Sequence, residues 1–160
     1  MSQNSASEHR PVMSVTEVTE FLAEVFPQMG DEFVVESLDG SVAVMRLRVQ
    51  ETHLRPGGTV SGPSMFALAD VAAYVAVLAP IGPQALAVTT QCSIDFMRKP
   101  AADADLIATA EVLKLGRSLA VIDVRLRSEG STALVARASL TYSIPPKREE
   151  GEKKPGRTPA

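Results

Sequence analysis

One carboxylate stands alone in a long apolar stretch of this sequence. From Gly62 to Ala79, Asp70 is the single charged residue. Apolar surroundings disfavour an ionised carboxylate that has no partner, so Asp70 is a candidate general base or nucleophile. The alternative is a structural carboxylate that a strand N–H or an arginine satisfies. The residues around Asp70 leave both interpretations open.

A glycine-rich turn precedes Asp70. Gly57, Gly58 and Gly62 lead into a predicted helix, and the free N–H groups at a helix N-terminus stabilise developing negative charge. Gly62 and Asp70 are a little over two turns apart at about 3.6 residues per turn, so both can border one cleft. The turn is not a phosphate-binding P-loop, because no Lys-Ser or Lys-Thr follows it.

The other potential nucleophiles and bases carry weaker signals. No GxSxG motif accompanies His53, which favours a surface or turn histidine, and Ser61 and Ser64 suit a helix cap or a turn. The single cysteine, Cys92, suits the core and excludes an intramolecular disulfide. The two histidines, His9 and His53, form no metal-ligand spacing with it, so we expect no metal site.

Hydrophobic periodicity predicts the helices and strands that must position these residues. The predicted elements are, in chain order, helix 15–26, strands 33–38 and 42–49, helix 62–79, and strands 86–97, 106–115, 120–126 and 134–144. The three links between the last four strands are short enough for antiparallel neighbours. Pro80 and Pro83 are expected to end the second helix. On strand 86–97, alternation predicts that Thr90 shares the inward face with Cys92 and Ile94.

The second helix is apolar on almost every side. Such a helix should be surrounded by protein, and its many alanines let strands approach closely. The pattern therefore predicts an α+β fold in which one antiparallel sheet curls about this helix.

Length and charge limit the remaining possibilities. The 160 residues suit one domain, which we place at 13–146 between flexible segments 1–12 and 147–160. Residues 1–146 hold 11 basic and 16 acidic residues, which argues against a nucleic-acid partner. The start of the chain lacks an apolar signal segment, and the longest apolar run, 71–81, is too short to span a bilayer. We therefore expect a soluble, cytoplasmic protein.

Three segments carry a resemblance to a known family. "GGTVSGPSMFALADVAAY" (57–74), "SIDFMRKP" (93–100) and "LKLGRSLAVIDVRL" (113–126) are similar to the hotdog-fold acyl-CoA thioesterases of the phenylacetic-acid (PaaI-like) group. The likeness covers about residues 30–144. It implies a central helix wrapped by the sheet, and homodimers or dimers of dimers with active sites at the subunit interface.

The resemblance also implies site residues. Asp70 takes the place of the catalytic carboxylate, which acts on water as a general base or attacks the thioester directly. Gly62 supplies the oxyanion-hole amide, and Ser61 can orient a water or the carbonyl. Coenzyme A arrives as part of the substrate, so no bound cofactor is required. The predicted substrate-binding residues are Arg55, Met65, Phe66, Tyr74, Arg98, Lys99, Gly116, Arg117 and Ser118.

Three departures from the family pattern, at Arg55, Ser61 and Pro63, leave an alternative open. The family usually has His-Gly-Gly where this chain has Ser61-Gly62-Pro63, and an Asn where Arg55 stands. Arg55 could pair with Asp70 and neutralise it, which would give a non-catalytic acyl-CoA binding module. A hydratase is disfavoured, because no histidine follows Asp70 within a few residues.

Overall fold

The computed structural model describes residues 10–147, so most of both predicted flexible segments lies outside the described residues. The described part contains two α-helices, six strands and two short 3₁₀ turns, at Pro27–Met29 and Glu51–His53. The helices and strands are α1 (Val15–Val25), β1 (Phe33–Asp39), β2 (Val42–Leu47), α2 (Gly62–Ile81), β3 (Val88–Phe96), β4 (Leu106–Leu115), β5 (Leu119–Ser128) and β6 (Leu134–Ser143).

The six strands form one antiparallel sheet that packs around α2. Their order across the sheet is β1-β2-β4-β5-β6-β3, and every neighbouring pair is antiparallel. Alternate residues of the central strands are fully buried against α2, including Met45, Leu106, Ile122 and Leu140. One curved sheet about one long helix is the hotdog architecture, which confirms the predicted fold class.

Helix α2 is the core helix of this fold. By length and composition it could cross a membrane, with a mean hydropathy of 1.8, but 67% of its most apolar window is buried inside the protein. The helix continues through Pro80 to Ile81 and stops at Gly82, whose φ of 90° ends the helical backbone. The expectation that Pro80 ends the helix is therefore wrong. Beside it, the Ala79 carbonyl accepts hydrogen bonds from the N–H groups of Val12 and Met13 at 2.7 and 3.2 Å.

Strand β3 lies at the edge of the sheet, beside β6. The prediction that β3 and β4 are neighbours is therefore wrong. Their link, residues 97–105, crosses the ends of the two strands between them. The N–H groups of Met97 and Arg98 donate to the Val135 carbonyl at the start of β6, and the Ala101 N–H donates to Ser128 Oγ at the end of β5.

A bulge changes the inward face of β3. The register with β6 shifts between Thr89 and Gln91, which leaves Thr90 as the extra residue of a β-bulge. Thr90 is exposed, and Thr89 instead turns towards α2 on the same side as Cys92. The predicted inward position of Thr90 is thus wrong by one residue.

Helix α1 closes one end of the barrel-like core. Ser14 caps it in a reciprocal capping box with Glu17, and both bonds hold the pKa of the Glu17 carboxyl below its ordinary value. The apolar face of α1 buries Val18 and Leu22. The helix ends at Val25, and Phe26 follows as the C-terminal cap.

An arginine on the outer face of the sheet binds three carboxylates. Arg46 on β2 bonds to Glu36 on β1, to Asp105 at 3.0 Å and to Glu129 at 2.8 Å. Asp105 also accepts the Val49 N–H at 3.0 Å. The cluster ties the β1–β2 hairpin to the ends of β4 and β5.

Candidate functional site

Asp70 lies on the third turn of α2 and is held by two hydroxyl groups. Thr89 on β3 donates its hydroxyl to Asp70 Oδ1 at 2.5 Å. Tyr142 on β6 donates to the same oxygen at 2.8 Å, and its hydroxyl also lies 2.8 Å from the main-chain carbonyl oxygen of Asp70. Hydroxyl donors therefore partner the carboxylate, rather than the strand N–H or arginine that the sequence suggested.

The second carboxylate oxygen has a different environment. Within residues 10–147 no donor lies at hydrogen-bond distance from Oδ2 of Asp70. No buried side-chain oxygen in that part of the chain lacks a partner, so an unbonded Oδ2 must be accessible. Asp70 lines a cavity, and Oδ2 is thus the oxygen available to a ligand there.

The cavity beside Asp70 is lined by apolar side chains together with the carboxylate, its two hydroxyl partners and Tyr74. We call it the Asp70 cavity; its volume is about 280 Å³, and α1, α2, β6 and the entry to β3 contribute to its wall. Its lining residues are Val25, Phe26, Asp70, Val71, Tyr74, Ala85, Ala87, Val88, Thr89 and Tyr142. Asp70 is the one charged residue among them. The cavity therefore suits a neutral, largely apolar group.

A second apolar cavity shares one residue with the Asp70 cavity. This α1–β1 cavity has a volume of about 480 Å³ and is lined by Leu22, Met29, Phe33 and Val35, among others. Phe26 lines both cavities. The two cavities are therefore neighbours at Phe26.

Gly62 begins α2 and lines a different cavity from Asp70. This Gly62 cavity, of about 420 Å³, is also lined by Arg55, Thr59, Val60, Met65, Phe96, Met97, Arg98, Lys99 and Pro100. The Gly62 N–H has no acceptor within residues 10–147, so it remains available to a ligand. A side chain at this position would lie 3.5 Å from the Phe96 ring. Gly62 also directly precedes Pro63, where a Cβ disfavours helical backbone.

The structure separates the predicted site residues into three groups. Asp70 and Tyr74 line one cavity, whereas Gly62, Arg55, Met65, Arg98 and Lys99 line the other. The remaining predicted residues, Ser61, Phe66, Gly116, Arg117 and Ser118, line neither of these two cavities. Within one chain, the parts of the predicted site are therefore not brought together.

Ser61 and Arg55 have definite surroundings in one chain. Ser61 is the N-cap of α2: its Oγ accepts the Ser64 N–H at 3.3 Å and donates to Ser64 Oγ at 2.9 Å. Among the ion pairs of residues 10–147, none joins Arg55 to Asp70. The two residues line different cavities, so within one chain Arg55 does not neutralise the carboxylate.

His53 is a buried turn residue. Its Nδ1 accepts the Gln50 N–H at 2.8 Å, and its Nε2 lies 3.8 Å from a Glu32 carboxylate oxygen. These contacts place it in the turn before the glycine-rich loop, as predicted, but the alternative prediction of a surface position is wrong. Residues 10–147 contain no group of three histidine, cysteine or acidic side chains that could hold a metal ion.

Burial affects the other titratable groups near Asp70. Burial raises the pKa of the Tyr142 hydroxyl well above its ordinary value, and the charge of Asp70 raises it further. The pKa of the Cys92 thiol is also raised, first by burial and then by Asp70. Both groups thus remain protonated at neutral pH, and Tyr142 acts as a hydrogen-bond donor.

Thr89 and Tyr142 are the site residues that the sequence missed as partners of Asp70. They face each other across the β3–β6 ladder, yet Tyr142 is 72 residues from Asp70 in the chain. Alternation of apolar residues places Tyr142 on the inward face of β6. This was the one feature of the sequence that could have indicated Tyr142 as a partner of Asp70. Nothing in the sequence marks the bulge that turns Thr89 inwards.

Comparisons with known proteins identify the family. A family model described as the thioesterase superfamily matches residues 57–135. The chain is 56% identical to a provisionally named thioesterase from Silicibacter sp. TM1040, whose crystal structure has a TM-score of 0.82; 88% of this chain and 97% of that one are covered. It is 34% identical to the phenylacetic acid degradation protein PaaI from Thermus thermophilus, with a TM-score of 0.64 and coverage of 74% and 98%.

A more distant structure shares the fold. A protein from Streptococcus pneumoniae that is described as a hypothetical thioesterase, solved with coenzyme A, is 22% identical. Its TM-score is 0.68, and 82% of this chain and 99% of that one are covered. The central helix, the curved sheet and the level of identity to the first two proteins agree with the match to the family model. The chain belongs to the thioesterase superfamily.

Proposed function

We propose that this protein is an acyl-CoA thioesterase, which hydrolyses a thioester to a free acid and coenzyme A. The observation that carries the proposal is Asp70, a carboxylate with one oxygen fully bonded and the other free, at an apolar cavity in a chain of this superfamily. Thioester hydrolysis needs such a base or nucleophile beside a site that excludes bulk water.

The chemistry follows from two groups. Oδ2 of Asp70 takes a proton from water as the water oxygen attacks the thioester carbonyl; direct attack by Oδ2 is the alternative. The carbonyl oxygen becomes negative and is stabilised by the Gly62 N–H, which contributes roughly 3 to 4 kcal/mol if it behaves as other oxyanion donors do. Collapse of the intermediate breaks the C–S bond, and the departing thiolate receives the proton from Asp70.

Charge distribution supports coenzyme A as the leaving group. Three cations, Arg55, Arg98 and Lys99, line the Gly62 cavity, and phosphate groups bind cations of this kind. The Streptococcus pneumoniae thioesterase shows that a protein of this fold can hold coenzyme A. Gly116, Arg117 and Ser118 line neither cavity, so we propose that any contact they make with the nucleotide comes from the other subunit.

The Asp70 cavity is the proposed acyl site. Its wall is formed mainly by apolar and aromatic side chains, among them Phe26, Val71 and Tyr74. At about 30 Å³ for each water-sized group, 280 Å³ holds about nine such groups. A medium-length chain or an aryl-acetyl group fits this space.

We propose that two subunits complete each site. Asp70 and Gly62 are eight residues apart on α2, which is about 12 Å along the helix axis. One small thioester group cannot contact both within one chain. The β3 edge exposes Val88, Phe96 and Met97 at 53%, 52% and 46%, and an unpaired apolar strand edge favours pairing with a second copy. Such pairing can bring Asp70 of one subunit towards Gly62 of the other.

Hydrolysis of an acyl-CoA series by wild type and Asp70→Asn tests the reaction. The asparagine oxygen can still accept from Thr89 and Tyr142, so the variant should fold. We expect a loss of at least about a hundredfold in kcat. Asp39→Asn, an exposed carboxylate at the end of β1 that lines neither the Asp70 cavity nor the Gly62 cavity, is the matched control. Loss of the thioester absorbance is the readout, because Cys92 would itself react with a thiol reagent. Binding of acyl-CoA without turnover in wild type would instead establish the non-catalytic binding module.

Mixed dimers test the shared site. Asp70→Asn and Gly62→Leu each remove one half of the proposed site, the second by filling the space beside Phe96. Co-expression of the two variants should restore about a quarter of the wild-type activity, because about half of the dimers are mixed and each mixed dimer has one intact site. No recovery, or a monomer in sedimentation equilibrium at micromolar concentration, would refute the shared site.

A further inference from the structure

Tyr142 contacts Asp70, and the proposed reaction assigns no role to this contact. Its hydroxyl lies 2.8 Å from both the Oδ1 and the main-chain oxygen of Asp70. The residue is 3% exposed, and its ring stacks on Tyr74 with the centroids 6.2 Å apart. The ring is therefore held in place, and its hydroxyl fixes both the side chain and the backbone of Asp70.

Counting donors gives the two carboxylate oxygens separate environments. The single hydroxyl proton of Tyr142 is shared between two acceptors of Asp70, and the hydroxyl of Thr89 donates to Oδ1. Two donors therefore converge on Oδ1. Oδ2 receives no bond from residues 10–147 and is the accessible oxygen at the cavity. Rotation of the carboxylate away from this orientation would break both bonds.

We infer that Tyr142 is a positioning residue, which holds Oδ1 of Asp70 through its hydroxyl and thereby makes Oδ2 the oxygen that acts on the thioester or its attacking water. This inference rests on the proposed function. It adds a residue from β6, outside the stretch 57–135 that the superfamily model matches.

The groups that face Asp70 come from four elements. From β6 there is Tyr142, from β3 the Thr89 hydroxyl and the Cys92 thiol, and from α2 itself Tyr74. Helix α1 contributes Val25 and its cap to the cavity, both uncharged, and no cation lines it. Burial first, and then the charge of Asp70, raises the pKa of the Tyr142 hydroxyl, so this hydroxyl remains a donor throughout the working range of pH.

Tyr142→Phe tests the inference, because it removes the hydroxyl and retains the ring. Without this donor, Oδ1 of Asp70 is held by Thr89 alone, and Oδ2 is aimed less well at the thioester or its attacking water. We expect kcat to fall about tenfold with KM unchanged. Thr89→Val, which replaces one hydroxyl by a methyl group, should lower kcat in the same way, and it serves if Tyr142→Phe folds poorly.

A measurement without turnover separates this inference from the proposed function. Binding of a non-hydrolysable acyl-CoA thioether should be the same in wild type and Tyr142→Phe, because the hydroxyl holds the carboxylate and not the substrate. Tyr74→Phe removes a hydroxyl that donates to the Ala85 carbonyl instead, so both hydroxyl bonds of Asp70 stay in place and any fall in kcat should be smaller than in Tyr142→Phe.

The outcomes are distinct. A fall in kcat with unchanged KM and unchanged thioether binding in Tyr142→Phe supports the positioning role. An unchanged kcat in both folded Tyr142→Phe and folded Thr89→Val overturns it. If wild type binds the thioether but hydrolyses no thioester, the proposed function fails, and the role in positioning a reacting oxygen is overturned with it.

Discussion

Phe26 gives the sharpest test of where the acyl group lies. The ring lines both the Asp70 cavity and the α1–β1 cavity. If the Asp70 cavity holds the acyl chain, Phe26→Ala removes a ring from the residue that this cavity shares with a further 480 Å³ of apolar space. The variant should therefore prefer longer acyl chains than wild type.

The magnitude follows from the cavity volume. Space for about nine water-sized groups limits the wild-type cavity to a chain of roughly eight to ten carbons. Each methylene buried up to that length contributes about 0.8 kcal/mol, which is about fourfold in kcat/KM. In Phe26→Ala the rise should continue for about three more carbons. The preference for a twelve-carbon over an eight-carbon chain should then increase on the order of fiftyfold.

The assay is kcat/KM for a series of saturated acyl-CoA substrates from two to sixteen carbons. Phe26 is 41% exposed, so its truncation should lower the free energy of unfolding by only about 1 kcal/mol, which urea denaturation can check. Leu119→Ala, a truncation of a 51% exposed residue that lines neither cavity, is the control. An unchanged optimum in folded Phe26→Ala would refute the assignment of the acyl chain to the Asp70 cavity.

Three further predictions concern groups around the site and the stability of the fold. Asp70→Asn should speed alkylation of Cys92 about two- to threefold at mildly alkaline pH, since burial and then the Asp70 charge raise the thiol pKa; mass spectrometry that shows no change would contradict their coupling. Arg46→Ala should lower the free energy of unfolding by about 1 to 2 kcal/mol in urea, because three carboxylates lose a shared cation. Arg46 lowers the pKa of the Glu129 carboxyl, whose ordinary value is 4.5. The destabilisation by Arg46→Ala should therefore be largest at neutral pH and become smaller as the pH falls below 4.5. A destabilisation that does not change with pH would refute this reasoning. Ser14→Ala should cost about 1 kcal/mol by the same assay, because it removes a helix cap, and an unchanged midpoint would show that the cap is not needed.

The hydrophobic pattern within each segment predicted the helices and strands well. Strand β4 begins and ends where alternation placed it, at Leu106 and Leu115, because most of its residues alternate between a buried and an outer face. The register shift with β5 between Val112 and Lys114 was not predicted. The apolar character of α2 correctly predicted a helix surrounded by sheet, and Asp70 stood out because it was the one charge within that helix.

Two structural features could not be predicted from the sequence, and each has a physical reason. The bulge at Thr90 inserts one residue into β3 and changes which side chains face inwards, and an exposed threonine carries no sign of it. The edge position of β3 depends on hydrogen bonds between residues distant in the chain, such as Arg98 to the Val135 carbonyl. Hydrophobic periodicity compares residues that are only a few positions apart in the chain. It therefore cannot predict the order of the strands in the sheet or the hydrogen-bond partners of Asp70.

The position of Phe26 has an evolutionary consequence. On the proposed function, the carboxylate and the oxyanion amide both lie within 57–135, the stretch that defines the superfamily, whereas Val25 and Phe26 belong to α1, far upstream of it. Chemistry and chain-length selectivity are then encoded in separate parts of the gene. Substitutions at the end of α1 could give descendants new acyl substrates while the hydrolytic centre stays intact, which is one route by which a single scaffold diversifies.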